Sequence, residues 1–196
     1  MEPTNDRWRK AILSERENGA VHKPMIRGLS HFEGQKNAAL ILGDASLVQS
    51  KYLLDTAGFA RVVDVDSSPT LLDDDIISLD DTRLTRVLLP FDQYEFPVNT
   101  FDFVYGKSIA FNPKETIKTV LKNIFDSLNN GGIYAGEYAA EGDSFRNVFY
   151  TEEELNQLHM EAGFKIIAII HPPSIETEGL VRPGTAHTIR VFTKKQ

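Results

Sequence analysis

The feature that most narrows what this chain can fold into is the order of signals from Ala38 to Leu72, AALILGDASLVQSKYLLDTAGFARVVDVDSSPTLL. Ala38 to Leu42 is an unbroken apolar run closed by Gly43, the pattern of a strand buried on both faces of a parallel sheet. From Ser46 the spacing of Leu47, Val48, Leu54 and Ala57 predicts one face of a helix, with Gly58 as its stop. Val62 to Val65 is a second apolar run and ends in Asp66. Strand, tight turn, helix, strand and acidic residue together predict the mononucleotide-binding half of a doubly wound α/β fold. In such a unit the closing carboxylate lies beside the first turn and can accept from both hydroxyls of a ribose. Asp66 could instead cap a helix beginning near Ser68.

Length and composition bound the rest. With 196 residues, 41% of them hydrophobic, the chain fits one domain with a full-sized core. The opening MEPTNDRWRK has no apolar run behind its charges, and no stretch approaches the roughly 18 apolar residues of a membrane span. A soluble, cytoplasmic protein with no membrane partner is expected. The absence of cysteine excludes disulfides, thiolate metal sites and a cysteine nucleophile. A net charge of −7 argues against nucleic acid as partner, because such binding relies on basic surface that releases counterions. The basic group Arg7, Arg9 and Lys10 around Trp8 reads as the solvated face of a short helix. Asp73, Asp74, Asp75, Asp80 and Asp81 lack the alternating spacing and turn glycine of a calcium loop, so no metal is expected.

Strand and helix signals alternate through most of the length, which predicts a parallel sheet with crossover helices. Helices are predicted from Trp8 to about Asn18, from Pro69 to Ile77, from Pro113 to Leu128 and from about Glu152 to Gly163. Strands three to five are placed at Leu84–Leu89, Phe101–Tyr105 and Ile133–Glu137. Phe164–Ile170 and a final strand at His187–Thr193 follow. Asn130-Gly131-Gly132 reads as the stop of the third of these helices, and Thr151 with Glu154 has the spacing of a capping box.

In this order the motifs ALILGDASL, VVDVDSSPTLL, LLPFDQYEFPVNTFDFVYGKS, LKNIFDSLNNGGIYAGEY and YTEEELNQLHMEAGFKII resemble the class I S-adenosylmethionine-dependent methyltransferases, from about Ala38 to the end. The resemblance implies a Rossmann-like, mostly parallel seven-stranded sheet in the order 3-2-1-4-5-7-6. Strand seven is antiparallel, helices cover both faces, and the ligand sits at the carboxyl ends of the strands. It implies a single domain over 1–196, with 1–36 as an N-terminal helical cap. It further implies that Gly43, Asp44 and Ala45 form the turn against the amino-acid portion of S-adenosylmethionine, and that Asp66, with Ser67 beside it, meets the ribose. Asp92 with Gln93 meets the adenine edge, unless strand three is shifted and Asp80 or Asp81 takes that place. Gly106, Lys107 and Ser108 follow strand four, near the transferred methyl. Lys107, Glu137 and Tyr138 are the candidates around the acceptor, although a lysine at such a place also reads as a solvated loop residue.

The chain departs from the family pattern at Ile41, where an acidic residue is usual, and at Ala45 and Leu47, where glycines are usual. Leu47 must either turn into the helix–sheet interface or block the pocket. The expected function is methyl transfer from S-adenosylmethionine to a small molecule, a protein side chain being the next acceptor class. The alternative is a non-catalytic, methyltransferase-like binding or regulatory protein with a degenerate cofactor turn. A nicotinamide-dependent oxidoreductase fits less well, since its second and third glycines are absent.

Overall fold

The computed structural model describes residues 4–67, 81–107, 109, 112, 114–140, 148–171 and 188–196. Five helices lie among these residues: α1 (Thr4–Asn18), α2 (Lys23–Leu29), α3 (Val48–Asp55), α4 (Lys114–Ser127) and α5 (Glu152–Ala162). Seven strands accompany them: β1 (Ala38–Leu42), β2 (Arg61–Asp66), β3 (Leu84–Leu88), β4 (Phe101–Gly106), β5 (Leu128–Ala139), β6 (Lys165–Ile170) and β7 (Thr188–Lys194). They form one sheet in the order β3-β2-β1-β4-β5-β7-β6. β1 pairs in parallel with β2 and β4, whereas β7 runs antiparallel to both β5 and β6. The expected Rossmann-like order is therefore present, strand seven included.

Burial explains the layers. Every residue of β1 is buried, because alternate side chains feed two cores. Leu40 and Leu42 join Ile117, Val120, Leu121 and Ile124 of α4 and Leu155 of α5 on one face. Ala39 and Ile41 join Met25 of α2 and Leu53 and Leu54 of α3 on the other. Asp102 holds the amino-terminal edge together. Its carboxylate accepts from the backbone amides of Asn37 (2.8 Å) and Ala38 (3.1 Å) and from the side chain of Asn129 (2.7 Å).

α1 begins at Thr4, ahead of Trp8, and β5 runs on to Ala139, past Glu137; three further boundaries differ from the sequence expectation. α3 starts at Val48 instead of Ser46, because Leu47 stands outside the helix with φ 63° and Asp44 caps the first turn. α3 also ends at Asp55, and Gly58 follows in the turn with φ 85°. β5 begins at Leu128, ahead of Asn130-Gly131-Gly132, which does not stop the helix. α4 stops earlier because Asn99 and Thr100 donate to the carbonyls of Asp126 and Ser127. Gly131 and Gly132 then serve the sheet, exchanging hydrogen bonds with Lys195. The Thr151–Glu154 capping box forms as read, with Glu154 N to Thr151 Oγ1 at 3.1 Å and Thr151 N to Glu154 Oε2 at 2.9 Å. The segments Pro69–Ile77, Gly142–Val148 and His171–Ala186 fall wholly or largely outside the described residues, as do Ser68, Asp73 to Asp75, Asp80, Ser108 and His187.

Candidate functional site

β1 leads to neighbours on both sides, β2 in one direction and β4 in the other, so the carboxyl ends of β1 and β4 mark the topological switch point where folds of this type form their crevice. Gly43 makes the turn after β1 at φ 97°, a conformation open to glycine at little cost, and its amide donates to Val65 O at 2.9 Å. Asp44 is fully buried. One carboxylate oxygen accepts from Ser46 Oγ (2.9 Å) and the other from the amide (2.8 Å) and hydroxyl (2.9 Å) of Ser50. It therefore faces neither solvent nor the outside of the turn. Ala45 packs against Ile12 of α1. Leu47 is 3% exposed and lines a cavity of about 490 Å³ shared with Arg16, Val21, Val48 and Tyr52, between the end of α1 and α3.

Asp66 ends β2 and is nearly buried, while Ser67 beyond it is exposed. Asp92 and Gln93 lie exposed in the turn after β3, where the amide of Gln93 donates to Pro90 O. Asp81 stands before β3, at the opposite edge of the sheet, and its carboxylate is taken by Arg83. Asp81 thus precedes β3, and Asp92 follows its carboxyl end.

Glu137 and Lys107 meet in one polar cluster that residues from α1 and the α1–α2 turn complete. Lys107 Nζ donates to both carboxylate oxygens of Glu15 (2.7 and 2.8 Å) and lies 3.7 Å from Asp44. His22 Nε2 stands 3.2 Å from Glu15, and its Nδ1 lies 2.9 Å from Tyr105 Oη and 3.3 Å from Glu137. Tyr105 Oη donates to Glu137 in turn. Gln49 ties the cluster to α3, accepting from His22 N at 2.9 Å and donating to Glu15 at 2.9 Å.

Charge balance sets the protonation states. Burial alone would raise the carboxyl pKa of Glu15, but the hydrogen bond to His22 and the ammonium of Lys107 outweigh it and hold Glu15 well below the usual range. Burial opposes ionisation of Glu137 as well, and His22 and Tyr105 reverse it. His22 is pushed up: burial disfavours its cation, while hydrogen bonds to Glu137 and Glu15 more than compensate. Burial and then the charge of Glu137 push Tyr105 well above an ordinary phenol. The resting cluster thus pairs ionised Glu15 and Glu137 with the Lys107 ammonium and with a His22 whose protonation the two carboxylates favour, beside a neutral tyrosine.

Tyr138 lies on the opposite face of β5. Its hydroxyl bonds to Tyr134 Oη (2.9 Å) and His159 Nε2 (3.1 Å), and Tyr138 is fully buried. Gly106 belongs to that packing too, since a Cβ on it would meet Tyr134 Oη at 2.8 Å. The structure thus brings Lys107, Asp44 and Glu137 together and leaves Tyr138 apart. Glu15, His22, Gln49 and Tyr105 carry no sequence signal as a group, because the pairs they make lie up to 115 residues apart. One acidic departure has a local counterpart. Asp64 pairs in register with Ile41, accepts from the amide of Asp44 at 3.3 Å and lies 3.3 Å from Arg86, so β2 supplies a carboxyl beside the turn that β1 lacks. Burial and then the charge of Asp44 push the Asp64 carboxyl well up.

No helix among the described residues is long and apolar enough to cross a membrane. No protein-family model matches the chain, and no curated protein matches it in sequence. Solved structures do match its fold. A Haloferax volcanii chain solved in complex with a methyltransferase activator is 16% identical, with 96% of this chain and 94% of that one covered and a TM-score of 0.72. The 1,6-didemethyltoxoflavin-N1-methyltransferase of Burkholderia thailandensis, solved with its substrate and S-adenosylhomocysteine, is 18% identical over 96% and 87% of the two chains, at TM-score 0.65. The [4+2]-cyclase SpnF shares the architecture at 12% identity, 87% and 80% coverage and TM-score 0.63. The fold is that of the class I S-adenosylmethionine-dependent methyltransferases.

Proposed function

We propose that this chain, built on the class I methyltransferase fold, transfers a methyl group from S-adenosylmethionine to a small molecule. The observation that carries the reading is the pairing of the Gly43 turn (φ 97°) with the Asp66 carboxylate at the carboxyl ends of adjacent strands. The residues fit the cofactor. Its ribose needs a hydroxyl acceptor beside the turn, which Asp66 would supply from the end of β2, while Leu47 is turned away between α1 and α3.

In this reading Asp66 accepts from the ribose hydroxyls with Ser67 beside it, Asp92 and Gln93 meet the adenine edge, and Gly43 to Ala45 bring backbone close to the amino-acid portion. The bound cofactor supplies an already activated methyl, so the protein chiefly aligns the acceptor and excludes water. Lys107 and Glu137 border the acceptor, with Tyr105 and His22 fixing the Glu137 carboxylate. Held ionised, Glu137 suits a cationic centre developing on nitrogen, or an acceptor proton donated to it. Residues 1–36 act as the cap: Ile12 covers Ala45 and Glu15 reaches Lys107. A solvated Lys107, the alternative from sequence, does not fit its ion pairs.

A second reading is a non-catalytic protein that keeps the fold, and one observation favours it: Leu47 occupies a left-handed conformation where the family has glycine. A calorimetric titration with S-adenosylmethionine, S-adenosylhomocysteine and NAD separates the readings. Binding of the first two and not of NAD is expected. Binding of none of them would establish the non-catalytic scaffold.

A further inference from the structure

A second concavity lies between α2 and the β6–β7 edge, about 350 Å³ in volume and lined by Lys23, Arg27 and Arg190 with Pro24, Ile26 and Ile170 as its main apolar wall. Its size falls in the range of small-molecule sites. Its charge is the unusual part: among the described residues three cations and no carboxylate line it, in a chain of net charge −7. Lys23 and Arg27 stand one helical turn apart on the same side of α2. Arg27 is braced against the ring of Phe192, its guanidinium carbon 5.9 Å from the centroid.

Arg190 is the more telling residue. It pairs directly across from Glu137 in the β5–β7 ladder, which puts both side chains on one face. Glu137 is hydrogen-bonded by Tyr105 and lies against His22; the charge of Arg190 helps hold it ionised, but the two form no direct ion pair. The Nε of Arg190 is shielded from solvent and has no acceptor among the described residues. A buried donor of this kind lacks the partner such groups almost always have. A guanidinium beside an apolar wall, with two further cations opposite, matches the fork geometry and charge of an oxyanion.

We infer that this pocket binds an oxyanion, a carboxylate or phosphate, borne by an apolar small molecule. Because Arg190 neighbours Glu137, the same molecule extends to the acceptor side of the crevice. Only this naming of the ligand as the methyl acceptor rests on the methyltransferase reading; the anion pocket itself does not.

The test is a chemical-shift titration of the full chain with benzoate, phenyl phosphate, inorganic phosphate and neutral benzyl alcohol. Wild type, the surface double variant Lys23→Gln/Arg27→Gln and Arg190→Gln are compared, each also titrated with S-adenosylhomocysteine. Benzoate or phenyl phosphate should bind and benzyl alcohol should not, with affinity falling about tenfold or more in either variant, the scale of one lost charge-assisted hydrogen bond. The tighter of the two identifies the anion. Equal binding of benzyl alcohol, unchanged affinity in the double variant, or no binding would overturn the pocket. Inorganic phosphate binding as tightly as phenyl phosphate would overturn its apolar half. Retained S-adenosylhomocysteine affinity without anion binding removes this inference alone, and the reverse pattern removes the methyltransferase reading alone.

Discussion

Leu47 combines a buried side chain with a backbone at φ 63°, where a Cβ is crowded by the following carbonyl at a cost of about 1–2 kcal/mol. Truncation to alanine loses the burial and keeps the strain, whereas glycine loses the burial and relieves the strain. Leu47→Gly should therefore be the more stable of the two by about 1 kcal/mol, opposite to their order inside a helix. Denaturant unfolding of both variants checks it. Asp66 ends β2 and is nearly buried. Asp66→Ala should weaken S-adenosylmethionine binding by about 1.5–3 kcal/mol, the scale for hydrogen bonds to a charged group, without loss of fold. Calorimetry on the folded variant decides it. Gly43 and Asp66 were legible in the sequence because strand, turn and strand are contiguous and obey local rules. Glu15 was not, although its partner Lys107 was: the two meet across 92 residues, and a glutamate on a polar helix is indistinguishable from any solvated one until the helix is placed. Asp44 was legible as a turn residue only, since its acceptors' donors, Ser46 and Ser50, belong to a cap that the apolar periodicity does not reveal.

The helices differ in how tightly they are held. α2 has 7 residues, too few to be stable alone, and is fixed by contact at Gly28. A Cβ there would lie 2.6 Å from the Cβ of Ala135 and 3.2 Å from the ring of Phe103, both in the sheet. Gly28→Ala should destabilise the protein by about 1–3 kcal/mol although alanine is the better helix former, because a packed sheet cannot retreat. Thermal or denaturant unfolding measures it, and a variant as stable as wild type would mean that α2 is free to shift. The sequence carried the type of nearly every described strand, since two-sided burial leaves unbroken apolar runs. It misplaced the start of β5, because Asn129 to Gly132 has the composition of a loop and is kept in the sheet by partners elsewhere: Asp102, and the exchange with Lys195.

At the scale of the molecule the two faces respond differently to acid. His159 is fully buried under Tyr134 and Tyr138, its Nδ1 donating to Leu155 O at 2.7 Å, and burial pulls its pKa down to about 4 from the ordinary 6.5. The unfolded chain then binds a proton that the native one refuses, so the contribution of His159 is full above pH 6.5 and lost as pH falls toward 4. Over that window it amounts to about 3 kcal/mol, at 1.36 kcal/mol per unit. The stability difference between wild type and His159→Gln should accordingly grow with pH from 4 to 6.5 and level off above, as followed by unfolding at fixed ionic strength. On the opposite face Glu15 and Glu137 are held ionised, and their contribution is present above the ordinary carboxylate range and lost below it.

The Asp102 carboxylate has a mechanical consequence. By gripping the chain just ahead of β1 and the side chain of Asn129 from the first residue pair of β4, it fixes three neighbouring strands at one end. β1 and β4 stay paired as far as Leu42 and Gly106, so the ladder and the Asp102 anchor hold both strands along their length. Any room made for a ligand is then left to the turns beyond the last pair, while the sheet beneath them stays whole.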